Sequence, residues 1–339
     1  MATIKDVARE AGVSTATVSR VYNGSHLVSA DTTRRVLEVA ARMDYWPNGA
    51  ARSLSTRSTR AIGVLLPDLH GEFFSETIRG IDHAAREESY QILLSSSHAD
   101  AGQLISAARA LRGRIDGLIA MAPDKGSAQA MEDFAKHFPV VLLNPGLPVN
   151  SCGSISVANG EGAYAMVSHL IRVGHRRIAM LMGPAGNADA EERLGGYRKA
   201  LADGGGEITP SLEIAGDFSQ LSGYESAREI LRREPRPTAV FAANDYMAIG
   251  LISALLEHGV RVPRDMAVTG FDDIELARYL SPPLTTVRVD AYGLGERAVI
   301  QWLEAVRANG EGRPKQEVLL TTLVVRGSCG AAGRRKSGD

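Results

Sequence analysis

The sequence has little cysteine, few aromatic residues and no long apolar segment. Two of its 339 residues are cysteines, Cys152 and Cys329, and their wide separation indicates neither a disulfide framework nor a zinc cluster. No apolar run approaches the roughly 18 residues of a membrane span, so no membrane partner is expected. The first ten residues already contain charged side chains and no apolar stretch, so we expect no signal peptide and a cytoplasmic protein.

Patterns typical of catalytic sites are also missing. The segment "GPAGNADAEE" lacks the Gly-Lys-Ser/Thr of a phosphate-binding loop, and no Ser/His/Asp order stands out. His169 and His175 are six residues apart, without acidic or cysteine neighbours, and are interpreted as structural. We therefore expect no catalytic residue, no metal site and no cofactor, and the chain is not predicted to be an enzyme.

Charge is present but unevenly distributed. The net charge is −1, yet residues 1–60 contain nine basic and five acidic residues, a local charge of +4 that leaves −5 for the remainder. A small basic head on an acidic body indicates that the head alone contacts nucleic acid.

The first 45 residues are predicted to form three short helices. Thr3 and Asp6 have the spacing of a capping box, and Gly12 would end the first helix. Ser14 and Ser29 are candidate N-caps of the second and third helices. A helix, a glycine-containing turn and a second helix within about twenty residues are the pattern of a helix-turn-helix motif. An ordinary small helical subdomain is the alternative interpretation.

The second helix of such a motif would occupy the major groove of DNA. The segment "STATVSR" is rich in small and hydroxyl side chains, which allow close approach and hydrogen bonds to phosphates or base edges. Arg20, one turn further, can donate two hydrogen bonds to a guanine. We predict DNA contacts from Thr15, Ala16, Thr17, Ser19, Arg20 and Asn23.

From Ala61 onward, short apolar strands alternate with amphipathic helices. "AIGVLLP" is a strand pattern, "FFSETIRGIDHAAREE" is a helix pattern, and the alternation continues to "MAVTGFDD". Such alternation predicts parallel sheets covered on both faces by helices. Roughly ten strands exceed one compact sheet, so we predict an all-α helix-turn-helix head followed by an α/β core of two subdomains.

The chain resembles the LacI/GalR (lactose/galactose repressor) family of bacterial transcription regulators. The resemblance lies in "TIKDVAREAGVSTATVSRVYNG", "YWPNGAARSL", "HLIRVGHRRIAML", "RPTAVFAANDYMAIG" and "GVRVPRDMAVTGFDD", all in the family's order. It implies a homodimer that binds a near-palindromic operator in double-stranded DNA. It also implies a core that resembles a periplasmic sugar-binding protein and takes a small effector. The expected domains are a head, 1–46, a hinge, 47–60, and a core, 61–330, followed by a disordered tail, 331–339. The segment "SCGAAGRRKSGD", which starts at Ser328, has the composition of a disordered segment.

The resemblance implies DNA contacts beyond the second helix. Ile4 is expected to contribute in the head, and Asn48, Ala51 and Leu54 match the family's hinge. In the family this hinge folds into a helix on DNA and inserts its leucine into the minor groove. Two physical arguments favour folding of the hinge on DNA. An isolated segment this short is not a stable helix, and an exposed leucine can insert between two base pairs and kink the duplex. Packing of Leu54 against the core is the alternative.

The effector is expected between the two subdomains, at the carboxyl ends of strands. The resemblance implies contacts from Phe73, Phe74, Asp189, Arg193, Phe218, Asn244 and Asp272. Arg193 would clamp hydroxyls or a carboxylate, and Asp272 would accept hydrogen bonds. These polar residue types favour a sugar, with a purine or nucleoside as the alternative. Each residue could instead be a helix cap or an ion pair between subdomains.

Two positions depart from the family's pattern. Gly71-Glu72 replaces an Asn-Pro pair before the aromatic residues, which leaves the floor of the pocket undefined. Val157-Ala158 replaces an Asp-Asn pair, so a polar contact is expected to be lost there.

Assembly and two competing functional classes can also be judged from the sequence. No leucine heptads follow Arg326, so a dimer is expected rather than a tetramer.

A sugar-binding transport protein, the first competing functional class, would need a signal peptide and no basic head. An α/β enzyme acting on sugars would need a nucleotide loop or a catalytic acid–base pair. A DNA-binding repressor is therefore favoured.

Overall fold

A computed structural model describes residues 2–22, 27–46, 58–98, 100–122, 126–147, 149–205, 208–308 and 313–331. The chain divides into two compact units, a head, Met1–Thr59, and a core, Arg60–Asp339, which are described separately. Within the described ranges, no helix has both the length and the apolar character needed to cross a membrane.

The head contains the three predicted helices, α1 Ile4–Glu10, α2 Thr15–Tyr22 and α3 Ala30–Arg42. The capping box of α1 is confirmed, since the Asp6 amide donates to Thr3 Oγ1 and the Thr3 amide donates back to Asp6. Gly12 adopts a φ of 66°, the left-handed conformation that the tight turn requires. The Thr17 amide donates to Ser14 Oγ at 3.1 Å, which caps α2. The small core of the head includes Val7, Ala8, Ala11, Val18, Val21, Val36, Val39 and Ala40.

The core alternates strands and helices as the sequence predicts. Its strands are β1 Ala61–Leu66, β2 Gln91–Ser96, β3 Gly117–Met121, β4 Val140–Leu143, β5 Gly153–Val157, β6 Ile178–Leu181, β7 Glu213–Ile214, β8 Ala239–Ala242, β9 Ala267–Thr269, β10 Thr286–Arg288, β11 Gln316–Leu319 and β12 Thr322–Val324. Its α-helices are α4 Glu72–Glu87, α5 Ala101–Leu111, α6 Ala128–Ala135, α7 Asn159–Arg172, α8 Ala188–Gly204, α9 Gln220–Leu231, α10 Asp245–Glu257 and α11 Ala291–Arg307.

Two parallel sheets define the two subdomains, and the predicted fold class is confirmed. Sheet A has the strand order β11-β5-β4-β3-β1-β2, and sheet B has the order β7-β6-β8-β9. Every residue of β1 is buried, as expected for a central parallel strand with helices on both faces. The edge strand β2 is only partly buried. A third, antiparallel pair joins β10 to β12.

The chain passes between the subdomains three times. It leaves sheet A after β5 to enter α7, returns after β10 into α11, and leaves again between β11 and β12. The strands β10 and β12 pair directly, so two of these crossings lie side by side. Because three segments of the chain join the two subdomains, the subdomains can move relative to each other only by bending of these segments.

The expectation of disorder from Ser328 onward is wrong for the first residues of that segment. Ser328 is fully buried, its hydroxyl donates to the Val268 carbonyl, and it accepts from the Thr285 amide at 2.8 Å. Cys329 is also buried. Hydrogen bonds to β9 and to the segment before β10 therefore hold residues 328–331 against sheet B, which the local composition did not reveal.

Candidate DNA-binding surface and effector cleft

One face of α2 is exposed and carries the predicted contact residues. Thr15, Ala16 and Arg20 are exposed, whereas Val18 and Val21 are buried in the core of the head. The alternation follows from the helical repeat, because residues three apart share a face. The structure therefore presents small side chains and one guanidinium to the outside of the head.

The remaining predicted DNA contacts differ in their surroundings. Thr17 and Ser19 are partly buried, and the Thr17 hydroxyl lies 2.9 Å from Ser14 Oγ at the start of the helix. Ile4 is partly buried against the core of the head. Four predicted contacts lie outside the described residues, namely Asn23, Asn48, Ala51 and Leu54.

The predicted effector residues all follow the carboxyl end of a strand. Phe73 and Phe74 follow β1, Asp189 and Arg193 follow β6, Phe218 follows β7, Asn244 follows β8, and Asp272 follows β9. Since β1 belongs to sheet A and the other four strands to sheet B, these residues line the facing ends of the two subdomains. We call the space between them the cleft.

Arg193 is the buried cation of the cleft, and its guanidinium is held on several sides. Its Nε donates to Asn159 Oδ1 at 2.8 Å, and its Nη1 donates to the Ala243 carbonyl. Its Nη2 lies 3.4 Å from Asp272 Oδ1. The guanidinium also stacks over the ring of Phe271, 3.8 Å from the ring centroid. These contacts fix the orientation of the guanidinium before any ligand arrives.

Asp189 connects the two subdomains through amide groups. Asn144, which follows β4 in sheet A, donates to Asp189 Oδ2 at 3.1 Å, and Asn159 donates to Asp189 Oδ1 at 2.9 Å. Asn144 is itself held, since its Oδ1 accepts from the Val157 amide at 2.9 Å. Burial raises the pKa of Asp189, although Arg193 and the two amides oppose that shift.

Asp272 and Asp245 add two carboxyl groups beneath the cleft. Burial raises the pKa of Asp272 to about 7, although the nearby Arg193 acts in the opposite direction. Asp245 is fully buried, where it accepts from the Thr286 hydroxyl and the Ile274 amide. Burial, followed by the charge of Asp272, raises the pKa of Asp245 well above its usual range. Both carboxyl groups therefore bind a proton more tightly than an exposed aspartate does.

Three residues of the cleft have a strained backbone conformation. Phe218, Asn144 and Asp272 are non-glycine residues with positive φ, at 71°, 44° and 110°. Each such conformation costs on the order of 1–3 kcal/mol and persists because the surroundings hold it. Asn244 provides that support for Phe218, because its Nδ2 donates to the Phe218 carbonyl at 2.9 Å while its Oδ1 caps α10. Asn244 is thus engaged as a cap as well as lining the cleft.

The aromatic platform predicted at Phe73 and Phe74 is partly exposed. The two rings meet edge to face with centroids 5.5 Å apart. Just before them, the Glu72 amide donates to Tyr246 Oη at 2.9 Å, and the Glu72 carboxylate accepts from the Glu275 amide. The departure at Gly71-Glu72 therefore places a contact between α4 of one subdomain and α10 of the other.

Four residues of the cleft were not among the predicted site residues. Asn144, Asn159, Asp245 and Tyr246 each lie within a few positions of a strand's carboxyl end, a signal that could have identified them. Asn159 also overturns one expectation. The polar contact expected to be lost at Val157-Ala158 is supplied by the next residue, whose amide bonds both Arg193 and Asp189.

Other polar groups lie away from the cleft. A cavity of about 580 Å³ opens at the amino ends of the strands of sheet B, between His175, Thr238, Arg264 and Cys329. His169 Nε2 lies 3.4 Å from Cys329 Sγ, and His175 Nδ1 lies 2.9 Å from Thr238 Oγ1. Within the part of the chain that the structure describes, no group of three or more His, Cys, Asp or Glu residues could hold a metal ion.

Two family models match the chain. "Bacterial regulatory proteins, lacI family" matches residues 3–48, and "periplasmic binding protein-like domain" matches residues 167–329. The first match covers the three helices of the head, and the second covers most of the subdomain built on sheet B.

Known proteins similar to this chain include two repressors of Haemophilus influenzae. The HTH-type transcriptional repressor PurR of strain PittEE is 36% identical, over 92% of this chain and 93% of that protein. The ribose operon repressor of strain ATCC 51907 is 35% identical, over 97% of this chain and 98% of that protein.

Solved structures similar to this chain are also transcription regulators. A lac repressor dimer bound to operator and the anti-inducer ONPF superposes with a TM-score of 0.87 and 33% identity, over 97% of this chain and 99% of that one. A complex of the transcriptional regulator CelR with cellobiose superposes with a TM-score of 0.72 and 32% identity, over 97% and 100%.

Proposed function

Because this chain belongs to the lacI family of bacterial regulatory proteins and is a DNA-binding transcriptional repressor, we propose the form of its control. It binds a near-palindromic operator as a homodimer, and a small sugar in the cleft switches that binding. The observation that carries the proposal is the presence, in one chain, of a helix-turn-helix head and a cleft lined by Arg193, Asp189 and Asp272. A regulator of this kind is not an enzyme and acts in the cytoplasm.

In the proposed DNA complex, the exposed face of α2 enters the major groove. Small side chains at Thr15 and Ala16 allow close approach, and Arg20 contacts a guanine. Two heads of a dimer would sit about one DNA turn apart, roughly 34 Å. The contribution of the hinge, Asn48, Ala51 and Leu54, rests on the sequence alone. The domain boundaries 1–46, 47–60 and 61–330 remain part of the proposal.

Exposed apolar residues on the core support a homodimer. Leu94 lies on the edge strand β2, and Leu221 and Tyr224 lie on α9, with their side chains exposed. Leu256 and Tyr279 are exposed on the same subdomain as α9. Exposed apolar side chains that form a contiguous patch mark association sites, and α9 and α10, which carry Leu221, Tyr224 and Leu256, pack side by side. The lac repressor that superposes on this chain is a dimer on its operator, which supports the same assembly here.

The polar groups of the cleft favour a sugar over a purine as effector. Asp272 and Asp189 have lone pairs available to hydroxyl donors, and hydroxyl-rich ligands match such acceptors. The similarity to a ribose repressor and to a cellobiose complex agrees with this choice. A purine or nucleoside is the second candidate, supported by the rings of Phe73 and Phe74 and by the similarity to PurR.

The proposal is tested in two steps with the full-length protein. Selection from random duplex DNA should return a site with two-fold symmetry, and sedimentation should show two chains on it. A thermal-shift screen of sugars, nucleosides and bases should then identify a stabilising ligand, which must change affinity for the selected site. Asymmetric sites bound by single chains would contradict the dimer. A nucleobase that alone alters operator binding would replace the sugar with a purine.

A further inference from the structure

We propose that the core holds a second ligand site, in the cavity at the amino ends of the strands of sheet B, and that this site binds a small phosphorylated molecule. The cleft lies at the carboxyl ends of the same strands, so the two sites are at opposite ends of sheet B. The proposal does not rest on the proposed function, because it concerns a different site and a different class of ligand.

The cavity has the size and the lining of a small-molecule site. Its volume of about 580 Å³ lies within the roughly 300–1,000 Å³ typical of such sites, so the organic part of a ligand fits beside a phosphate group. His175, Thr238 and Arg264 line the cavity, and their side chains can donate hydrogen bonds to an anion. Pro263 and Cys329 add apolar surface. The lining therefore combines a few polar groups with an apolar wall, as small-molecule sites do.

Positive charge is concentrated around the cavity. The arginine edge, as we call it, consists of the three segments that precede the neighbouring strands β6, β8 and β9, namely residues 172–177, 232–238 and 258–266. These segments contain eight arginines and two acidic residues. Glu229 and Glu257, in the last turns of the preceding helices, lower the balance to +4. Residues 61–339 together carry −5, so the arginine edge is a basic surface on an acidic core.

The carboxyl ends of helices neutralise only part of this charge. Arg176 Nη1 donates to the Ile171 carbonyl at 2.7 Å, and Arg236 Nε donates to the Leu231 carbonyl at 3.0 Å, so both arginines contact the last turn of a helix. A helix carboxyl end carries about half an elementary negative charge, and α7, α9 and α10 all end at this edge. Together these ends offset roughly 1.5 of the four surplus positive charges. The remaining positive charge attracts anions to the cavity.

Arg264 provides a guanidinium that can bind such an anion. It is exposed, and within the described ranges of the chain it takes part in no hydrogen bond or ion pair. Its acidic neighbour Asp265 also lines the cavity, but Arg261 donates to both carboxylate oxygens, from Nε at 2.8 Å and from Nη2 at 3.0 Å. That ion pair neutralises the acidic group in the lining. Two N–H groups of Arg264 can consequently hold a phosphate by two parallel hydrogen bonds.

A phosphate group matches these donors better than a carboxylate or an uncharged ligand does. A phosphate monoester carries close to two negative charges at neutral pH and has three strong acceptor oxygens. His175 Nδ1 lies 2.9 Å from Thr238 Oγ1, so these two polar side chains lie together on the wall that they share with Arg264. A DNA duplex is too wide to enter a cavity of this volume and would contact its rim alone. The favoured ligand is therefore a small molecule.

The experiment measures binding of phosphorylated compounds to the full-length protein by isothermal titration calorimetry at constant ionic strength. Pyrophosphate, glycerol 3-phosphate and adenosine 5′-monophosphate are the probes, and glycerol and adenosine are the uncharged counterparts of the last two. At least one probe should bind saturably, and Arg264→Ala should weaken it at least tenfold, because charge-assisted hydrogen bonds are lost. Arg278→Ala is the matched control, since Arg278 is exposed on the same subdomain but follows the carboxyl end of β9.

The outcomes decide the proposal independently of effector control. An Arg264→Ala protein that unfolds at the wild-type temperature is intact, so its loss of binding is a property of the site. The proposal is overturned if no probe binds saturably, if Arg264→Ala and Arg278→Ala bind the probe alike, or if the uncharged counterpart binds as tightly. A loss of affinity for random-sequence duplex DNA in Arg264→Ala, without a loss for any probe, would assign the arginine edge to a polymer and also overturn it. Operator selection and the effector screen test the proposed function separately.

Discussion

Arg193 Nη2 and Asp272 Oδ1 lie 3.4 Å apart, in a pair whose side chains are only 6% and 10% exposed. The separation exceeds that of an ordinary hydrogen bond, so the two groups attract each other electrostatically without forming a short hydrogen bond. Asp272 therefore keeps acceptor capacity for a ligand. The Arg193 guanidinium is meanwhile held by Asn159, Ala243 and the ring of Phe271.

The first prediction concerns Asp272 and pH. Burial raises the pKa of Asp272 to about 7 from an ordinary value of 3.8, so between these values the folded state retains a proton that the unfolded state releases. The free energy of unfolding should consequently fall as pH rises through this window and level off above pH 7. In Asp272→Asn that fall should be shallower, by up to about 1 kcal/mol per pH unit. Urea unfolding at pH 5, 6, 7 and 8 measures both slopes; equal slopes would mean that Asp272 does not retain its proton.

The second prediction concerns base contacts by Arg20. Arg20→Ala should weaken binding to the selected operator by about 1–3 kcal/mol and relax the preference at one base pair. Anisotropy titrations against operators substituted at each position measure this. Arg42→Ala is the matched control, because Arg42 lies on α3 and is paired with Glu10 at 2.7 Å. A uniform loss over all operators would indicate that Arg20 contacts phosphate only.

The third prediction uses two adjacent glycines on α8. A Cβ at Gly196 would lie 2.2 Å from the Gly160 carbonyl oxygen of α7, whereas one at Gly195 would meet open space. Gly196→Ala should destabilise the core by about 1–3 kcal/mol because the helices must separate. Gly195→Ala should stabilise it by about 0.5–1 kcal/mol, since alanine loses less backbone freedom. Chemical denaturation measures both, and similar effects at the two positions would contradict the close packing of α7 on α8.

The fourth prediction concerns the contact between α4 and α10. Tyr246→Phe removes the hydroxyl that accepts from the Glu72 amide, so the closed cleft loses one hydrogen bond between subdomains. Affinity for the effector found by the screen should fall roughly fivefold, which corresponds to about 1 kcal/mol. Tyr164→Phe is the control, because that hydroxyl bonds Asp203 within one subdomain. Calorimetric titration measures both variants; unchanged affinity in Tyr246→Phe would show that this contact does not contribute to closure.

Much of this protein follows from its sequence by itself. The helix caps at Thr3 and Ser14 and the turn at Gly12 depend on neighbouring residues, and the structure confirms them. The alternation of strands and helices likewise reflects local periodicity, which predicted two parallel-sheet subdomains. The resemblance to the lacI family, rather than local periodicity, implied that Phe73, Arg193 and Asp272 would face a common cleft at the carboxyl ends of strands.

Tertiary structure alone decided which partners those residues have. Asn144 and Asp189 are 45 positions apart, and Glu72 and Tyr246 are 174 positions apart, so no local pattern links them. The same holds for Ser328. The segment around it has the composition of a disordered tail, but its hydroxyl donates a hydrogen bond to the Val268 carbonyl of β9. Periodicity and capping record interactions within a few residues, whereas burial and charge balance depend on segments that meet only when the chain folds. The engagement of Arg193 by Asn159, Ala243 and Asp272 is such a property, and it determines how much of the guanidinium a ligand can use.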